Sequence, residues 1–297
     1  MGKKSKRAGK AGGDTTAGGG KSAAKTKQGP GKARRERAAA QREVQARLDA
    51  LIAKLEEELR DVELFGPLEE REECPVCFVP MPLDLSHWSH PPCCSKIICH
   101  ACARAAGARR QFNCAFCRAP VSGDEALRQQ QLRKRIESGD TWAMYILANN
   151  YKNGNKGLPK DDIAAMNLWL QAAELGHLPA LCSISGRYVK NEFEVRTTKE
   201  QALKLAKAAA KKGSVRGHHL LGWLEFKEQD NLVKARNHFV HAAIGGWKES
   251  LEMLKIMQRG GMLDQDTFDD IEVKHNEALA LEWSEERDKV NTKDGVK

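Results

Sequence analysis

Nine cysteines occur in the chain, and eight of them fall between positions 74 and 117. They come as Cys74-x-x-Cys77, Cys93-Cys94, Cys99-x-x-Cys102 and Cys114-x-x-Cys117. A Cys-x-x-Cys turn places two sulfurs on one ion, and zinc takes four such soft ligands in a tetrahedron. The eight sulfurs are enough for two zinc ions. An odd total and tight pairing favour metal over disulfides in a reducing compartment. A thioredoxin-like redox site would need one such pair beside a strand–helix pattern, and three pairs so close together argue against it. A closed thiolate site leaves no position for an activated water, so the metal's expected role is structural. The ions can be shared by neighbouring pairs, or crosswise, first pair with third and second with fourth.

The sequence between the pairs bears on that choice. Ile97-Ile98-Cys99-His100-Ala101-Cys102-Ala103-Arg104-Ala105 reads as a strand followed by a helix. Cys114-Ala115-Phe116-Cys117-Arg118-Ala119-Pro120 reads as a closing knuckle. Together with Glu73-Cys74-Pro75-Val76-Cys77, residues 73–120 resemble a RING finger. The resemblance implies the crosswise arrangement, a cross-brace. Cys74, Cys77, Cys99 and Cys102 would hold the first zinc, and Cys94, Cys114 and Cys117 three corners of the second. Two positions beyond Cys94 the family carries His or Cys. Here Lys96 stands there, and a protonated lysine has no lone pair to give. The fourth ligand is expected from Cys93, with His90 as the alternative. His87 and His100 are expected to face solvent or to be satisfied locally. RING ubiquitin ligases dock a ubiquitin-conjugating enzyme and hold its thioester-linked ubiquitin. On that template Val76 matches an aliphatic groove position, and Arg118 a linchpin that hydrogen-bonds both partners. The sequence departs from the template in two places: Ala115 stands where a groove proline is common, and no tryptophan lies between Cys102 and Cys114.

A scaffold has to carry this module. Val44, Leu48, Leu51, Leu55, Leu59 and Val62 recur at steps of four and three, so residues 38–65 read as an amphipathic helix. Its stripe suits a short coiled coil in a homodimer, or docking onto the zinc module. Gly66-Pro67 ends it. Past the cysteines, Gly123-Asp124-Glu125 reads as a helix start for residues 124–138. Then a turn glycine recurs at Gly139, Gly176, Gly213 and Gly246, at intervals of 37, 37 and 33. Four residues after each lies Ala143, Ala180, Gly217 or Ser250, and four further on an aliphatic residue. Ala172-Ala173, Ala209-Ala210 and Ala242-Ala243 precede the last three glycines. This is the mark of a helical-hairpin solenoid. The small positions and the alanine pairs are expected to bring the two helices of one hairpin close. Residues 136–262 resemble Sel-1-like repeats, relatives of tetratricopeptide repeats. The clearest stretch is Tyr151, Gly154, Gly157, Asp161, Ala165, Trp169, Ala172, Ala173 and Gly176. The second unit departs, with Asn191-Glu192-Phe193-Glu194 in place of a glycine-rich loop, and the third carries a tight loop at 228–231. The resemblance implies a scaffold with a concave face for partner proteins. The expected architecture is mainly α: a small zinc-stabilised α/β module at 70–121, then a helical solenoid with capping helices over 136–285. Residues 286–297 read as a frayed tail.

Charge sits at one end. Residues 1–37 hold twelve Lys/Arg against Asp14 and Glu36, so this segment carries +10 while the whole chain carries +9. It has no aromatic, Leu, Ile or Val residue and is expected to be disordered. It suits nuclear targeting or loose RNA contact as well as it suits a solubilising tail. No apolar run reaches the length of a membrane span, and no apolar segment follows the basic start, so an intracellular protein is expected, in cytoplasm or nucleus. His218-His219, Cys182 and Trp142, Trp169, Trp223, Trp247 and Trp283 read as packing residues. No nucleophile–base pair, phosphate loop or paired catalytic carboxylates stand out. The functional expectation is a RING-type ubiquitin ligase whose repeats bind substrate, the alternative a non-enzymatic zinc-binding adaptor.

Overall fold

The computed structural model describes residues 30–60, 64–94, 96–108, 113–114, 116–120, 123–190, 195–227, 231–282 and 287. The basic segment 1–29, Ala115, the loops at 191–194 and 228–230, Trp283 and most of the tail lie outside them. Residues 1–38 and 39–297 form separate units.

Eleven α-helices and one two-stranded sheet make up the described chain. Helix α1 runs Pro30–Glu58. It therefore starts inside the segment expected to be disordered and stops short of residue 65. Its first turns have a local cause. Ala, Arg, Gln and Glu are strong helix formers, and a proline at the first helical position is pre-set for the helix. Lys32 and Glu36 add a pair one turn apart at 3.8 Å.

From Ala39 onward the target of α1 is clear. Val44, Leu48, Leu51, Ile52 and Leu55 are buried in one cluster with Leu170, Leu181, Leu205 and Ala208. Polar residues flank the seam: Arg47 Nη2 meets Glu174 at 2.6 Å, Gln201 Nε2 meets Asp49 at 2.7 Å, and Lys211 Nζ donates to Glu58 O at 2.6 Å. Lys204 pairs with Glu56. The stripe thus faces neither a second chain nor the zinc module. It is spent on the chain's own repeats.

The scaffold is a row of helices. Helix α3 (Glu125–Glu137) is capped by Asp124, whose carboxylate accepts from Ala126 N at 2.9 Å. Four hairpins follow: α4 (Thr141–Asn153) with α5 (Asp162–Glu174), α6 (Leu178–Lys190) with α7 (Lys199–Lys211), α8 (Val215–Lys227) with α9 (Leu232–Ile244), and α10 (Lys248–Arg259) with α11 (Gln265–Ala280). Each turn glycine adopts a left-handed conformation, at φ +81° for Gly139, +83° for Gly176, +79° for Gly213 and +93° for Gly246. The closing bonds are the paired type expected of glycine-terminated helices: Gly176 N to Ala173 O at 2.9 Å and His177 N to Ala172 O at 3.0 Å.

The small residues act elsewhere than expected. A side chain on Gly217 of α8 would meet Ala210 N at 2.7 Å and Ala209 Cβ at 3.0 Å. Both belong to α7, so the closest approach is across the glycine turn, between one hairpin and the next. Within the α8–α9 hairpin, the small residue is Gly222, against the ring of Phe239.

Segment 64–72 leads from α1 to the cysteine module across the glycine turns. His241 Nε2 donates to Gly66 O at 3.1 Å, Glu69 N donates to Gly213 O at 3.0 Å, and Arg71 Nη2 donates to Gly245 O at 2.7 Å. Phe65 stacks on His238, ring centroids 4.9 Å apart. From the other side, Arg135 Nη1 donates to Pro91 O at 2.9 Å, and Trp142 packs on Trp88 at 5.1 Å. The module and the segment leading to it are thereby fastened to α3, to the first and third hairpins and to the turns at Gly213 and Gly245. No helix among the described residues is long and apolar enough to cross a membrane.

Candidate metal centre

Two knuckles of the same design frame the site. In the first, Cys74 N donates to Val79 O at 3.0 Å and Phe78 N to Cys74 O at 2.8 Å. In the second, Cys114 N donates to Ala119 O at 2.8 Å and Arg118 N to Cys114 O at 3.1 Å. An antiparallel bridge closes each, Glu73 with Pro80 and Asn113 with Pro120. The residue just after the second cysteine turns left-handed in both, Phe78 at φ +57° and Arg118 at φ +61°. That turn folds the chain back so that both sulfurs of the pair point the same way.

The remaining pairs come from a hairpin and a helix. Strand β1 (Trp88–Ser89) pairs with β2 (Ile98–Cys99), Trp88 opposite Cys99. Helix α2 (His100–Ala108) begins at once and carries Cys102. Trp88 Nε1 donates to Pro82 O at 2.6 Å, which sets the first strand. Met81, Ile98 and Ala101 are buried with Cys74 and Cys99 in a small core.

These elements gather the sulfurs into two groups of four: Cys74, Cys77, Cys99 and Cys102, and Cys93, Cys94, Cys114 and Cys117. Within each group the Sγ atoms lie within 4.8 Å of one another. Cys77 and Cys99 are 3.9 Å apart, and Cys94 and Cys114 3.6 Å. Zn–S bonds of about 2.3 Å in a tetrahedron put sulfurs about 3.8 Å apart. A disulfide would bring them to about 2 Å, and all nine cysteines are free. The donor set, its count and its spacing fit zinc at both places. First pair sits with third and second with fourth.

Backbone amides already favour thiolates here. Cys99 N reaches Cys74 Sγ at 3.4 Å, and Cys102 N reaches Cys99 Sγ at 3.5 Å. Burial pushes the Cys74 thiol up, but amides of Cys99, Cys77 and Val76 outweigh it and bring it to about 7. Cys114 is likewise raised by burial and lowered, to about 7, by the amides of Cys117 and Phe116. Burial and the neighbouring sulfurs push Cys93 and Cys102 the other way. The amides thus pull the Cys74 and Cys114 thiols toward the thiolate form that binds a metal.

The irregular corner of the second group is explained locally. Lys96 is exposed, and its backbone amide, not its side chain, turns toward Cys94. Cys93 joins the group and His90 does not. His90 packs between Trp88 and Trp142, at 6.1 and 5.2 Å, and burial drops its pKa to about 4. His87 and His100 are exposed. Cys182 is a buried thiol 3.8 Å from Ser214 Oγ. Val76 is 46% exposed, Phe78 71% exposed, and Arg118 is exposed with no side-chain partner among the described residues. The residue that escaped the sequence reading is Arg287. It stands in the segment read as frayed, yet it is buried and donates from Nη2 to Cys77 Sγ at 3.6 Å. A lone arginine in a charged stretch carries no signal of such a contact.

No family model matches the sequence, and no curated protein matches it. Among solved structures, a Sel1 repeat protein from Oxalobacter formigenes is 23% identical with a TM-score of 0.46, over 54% of this chain and 66% of that one. The protective antigen c5321 of uropathogenic Escherichia coli, which displays an SLR fold, is 20% identical with a TM-score of 0.42, over 60% of this chain and 40% of that one. The immunity protein Pa5087 from Pseudomonas aeruginosa is 20% identical with a TM-score of 0.32, over 62% and 82%. The chain thus spans less than two thirds of the length of the first two.

Proposed function

We propose that this chain is a zinc-stabilised RING-type ubiquitin ligase whose helical repeats bind partner or substrate proteins. The observation that carries the reading is the outer surface of the two knuckles. The module is fixed to the repeats by Trp88, Pro91 and Arg71, yet Val76, Phe78 and Arg118 remain open to solvent. An exposed apolar pair on one knuckle and an exposed guanidinium at the matching turn of the other are what a conjugating enzyme would engage. Cys74, Cys77, Cys99 and Cys102 would hold one zinc and Cys93, Cys94, Cys114 and Cys117 the other. The metal would supply structure: four sulfurs fill its tetrahedron and leave no open position.

Transfer chemistry stays on the conjugating enzyme. A substrate amine attacks the ubiquitin thioester, and the enzyme's cysteine thiolate leaves. Val76 and Phe78 supply apolar contact, and Arg118 donates hydrogen bonds that hold ubiquitin against its carrier and restrict the thioester to reactive poses. The test is reconstitution with ubiquitin, activating enzyme, a panel of conjugating enzymes and zinc-loaded protein. Chains that form with the wild type and fall at least tenfold with Arg118→Ala are the expected result. Absence of chains with every conjugating enzyme, in protein carrying its metal, would leave the adaptor reading in its place.

A further inference from the structure

Arg287 lies against the knuckle of the first cysteine group. Arg287 is 6% exposed. Its Nη1 donates to Pro80 O at 2.7 Å and to Glu282 O at 2.8 Å. Its Nη2 donates to Val79 O at 2.9 Å and to Cys77 Sγ at 3.6 Å. Cys99 also interacts with it. Val79 O is the carbonyl that accepts Cys74 N inside the first knuckle. One guanidinium therefore grips the backbone of the knuckle, bonds the sulfur of Cys77 and acts electrostatically on that of Cys99. Glu282 anchors the segment: its carboxylate accepts from Arg71 Nη1 at 2.7 Å and from Leu83 N at 3.1 Å. The cysteines of the second group lie outside these contacts.

Charge gives the contact its meaning. Four thiolates around a divalent cation leave two net negative charges, and a buried site must offset them with donors and cations nearby. A planar guanidinium presents its donors at fixed angles, so it can bond the two carbonyls and the sulfur together. An ammonium is a point charge and can do only part of this.

We infer that Arg287 is a positioning residue for the first metal site, holding the Cys74–Cys77 knuckle closed and stabilising the sulfurs of Cys77 and Cys99 from outside the ligand set. The inference rests on the zinc reading above and adds to it an asymmetry between the two sites. Partners of this kind typically contribute about 10–100-fold to metal affinity.

The experiment uses the full chain loaded with zinc, whose content is first read by native mass spectrometry. Zinc release to a chromogenic chelator is then followed for the wild type, Arg287→Met and Arg287→Lys. In Arg287→Met one of the two equivalents is expected to leave about 10–100-fold faster, with the other rate unchanged. Arg287→Lys, which keeps the charge and one donor, is expected to recover part of that difference. In cobalt-substituted protein, the sulfur-to-metal charge-transfer band of one site is expected to shift in Arg287→Met. Far-UV circular dichroism of the repeats checks that each variant is folded, and should Arg287→Met fail that check, Arg287→Lys decides by its intermediate rate. Two bound zincs with unchanged release, or equal acceleration of both equivalents, would overturn the inference while leaving the zinc reading intact. Wild-type protein that binds no zinc would remove the zinc reading itself.

Discussion

Three glycines inside repeat helices allow a matched test of how tightly the hairpins are stacked. Gly186 lies in α6, Gly217 and Gly222 in α8. Alanine at any of them gains about 1 kcal/mol of helix propensity. The spaces around them differ. At Gly186 a new Cβ meets only Leu220 Cδ2, at an ordinary 3.6 Å. At Gly217 it meets the backbone nitrogen of Ala210 at 2.7 Å. At Gly222 it meets the ring of Phe239 at 2.6 Å, a side chain with no exposure. Overpacking costs about 1–3 kcal/mol. Helical backbone cannot rotate aside, so Gly217→Ala should sit at the upper end and lose about 2 kcal/mol net. A ring can tilt, so Gly222→Ala should lose about 1 kcal/mol net. Gly186→Ala should gain about 1 kcal/mol. At about 2–4 °C per kcal/mol, Tm should fall by about 4–8 °C in Gly217→Ala and rise by about 2–4 °C in Gly186→Ala. Thermal unfolding of zinc-saturated protein by circular dichroism measures this. If Gly217→Ala melts with or above Gly186→Ala, the hairpins are not packed through that junction.

Acid should weaken the fold through buried neutral histidines. Burial, followed by neighbouring histidines for His218 and His238, lowers His177 and His238 to about 4 and His218 to about 3. Between about pH 6.5 and pH 4 the unfolded chain binds more protons, so stability falls on acidification, by at most about 1.4 kcal/mol per pH unit per histidine. Urea midpoints at pH 7 and pH 5 test this, and a His238→Gln variant should show the smaller drop. Asp140→Ala should cost about 2–4 kcal/mol, because it leaves the part-buried Arg135 that Asp140 holds at 2.6 Å with only Pro91 O among the described residues and removes the cap on Ala143 N; a loss under about 1 kcal/mol in urea unfolding would refute it. Leu48→Ala should cost about 2–5 kcal/mol and deprotect α1 in hydrogen exchange; unchanged protection would mean that its stripe is not seated on α5 and α7.

The sequence carried the periodic features and hid the contingent ones. The turn glycines were legible because a left-handed residue is needed wherever a second helix ends, and only glycine adopts it freely. The cysteine groups were legible because spacing and ligand count are constrained by the ion. The partner of α1 was not. An apolar stripe states that something covers it and says nothing of what, and Leu48 reads the same against a second helix as against Leu205. The role of the small residues was misplaced for a related reason, since Gly217 and the Ala209-Ala210 pair lie on either side of a turn and belong equally to two neighbouring contacts. Arg287 and the bonds of segment 64–72 follow no period at all.

Stacked hairpins ordinarily touch only their neighbours, so such proteins behave as one-dimensional chains and can be shortened from an end at small cost. Here Arg71 bonds to Gly245 and to Glu282, partners 174 and 211 positions away. Arg71 thereby ties the start of the module to both ends of the last hairpin and closes a long loop of chain. The cysteine module, although early in the chain, has no complete seat until the last hairpin exists, and sealing that loop carries the entropy of a very long closure. Docking of the module should then be the slow, late step of folding. Trimming the far end of the chain should loosen the module near its beginning more than the hairpins between them.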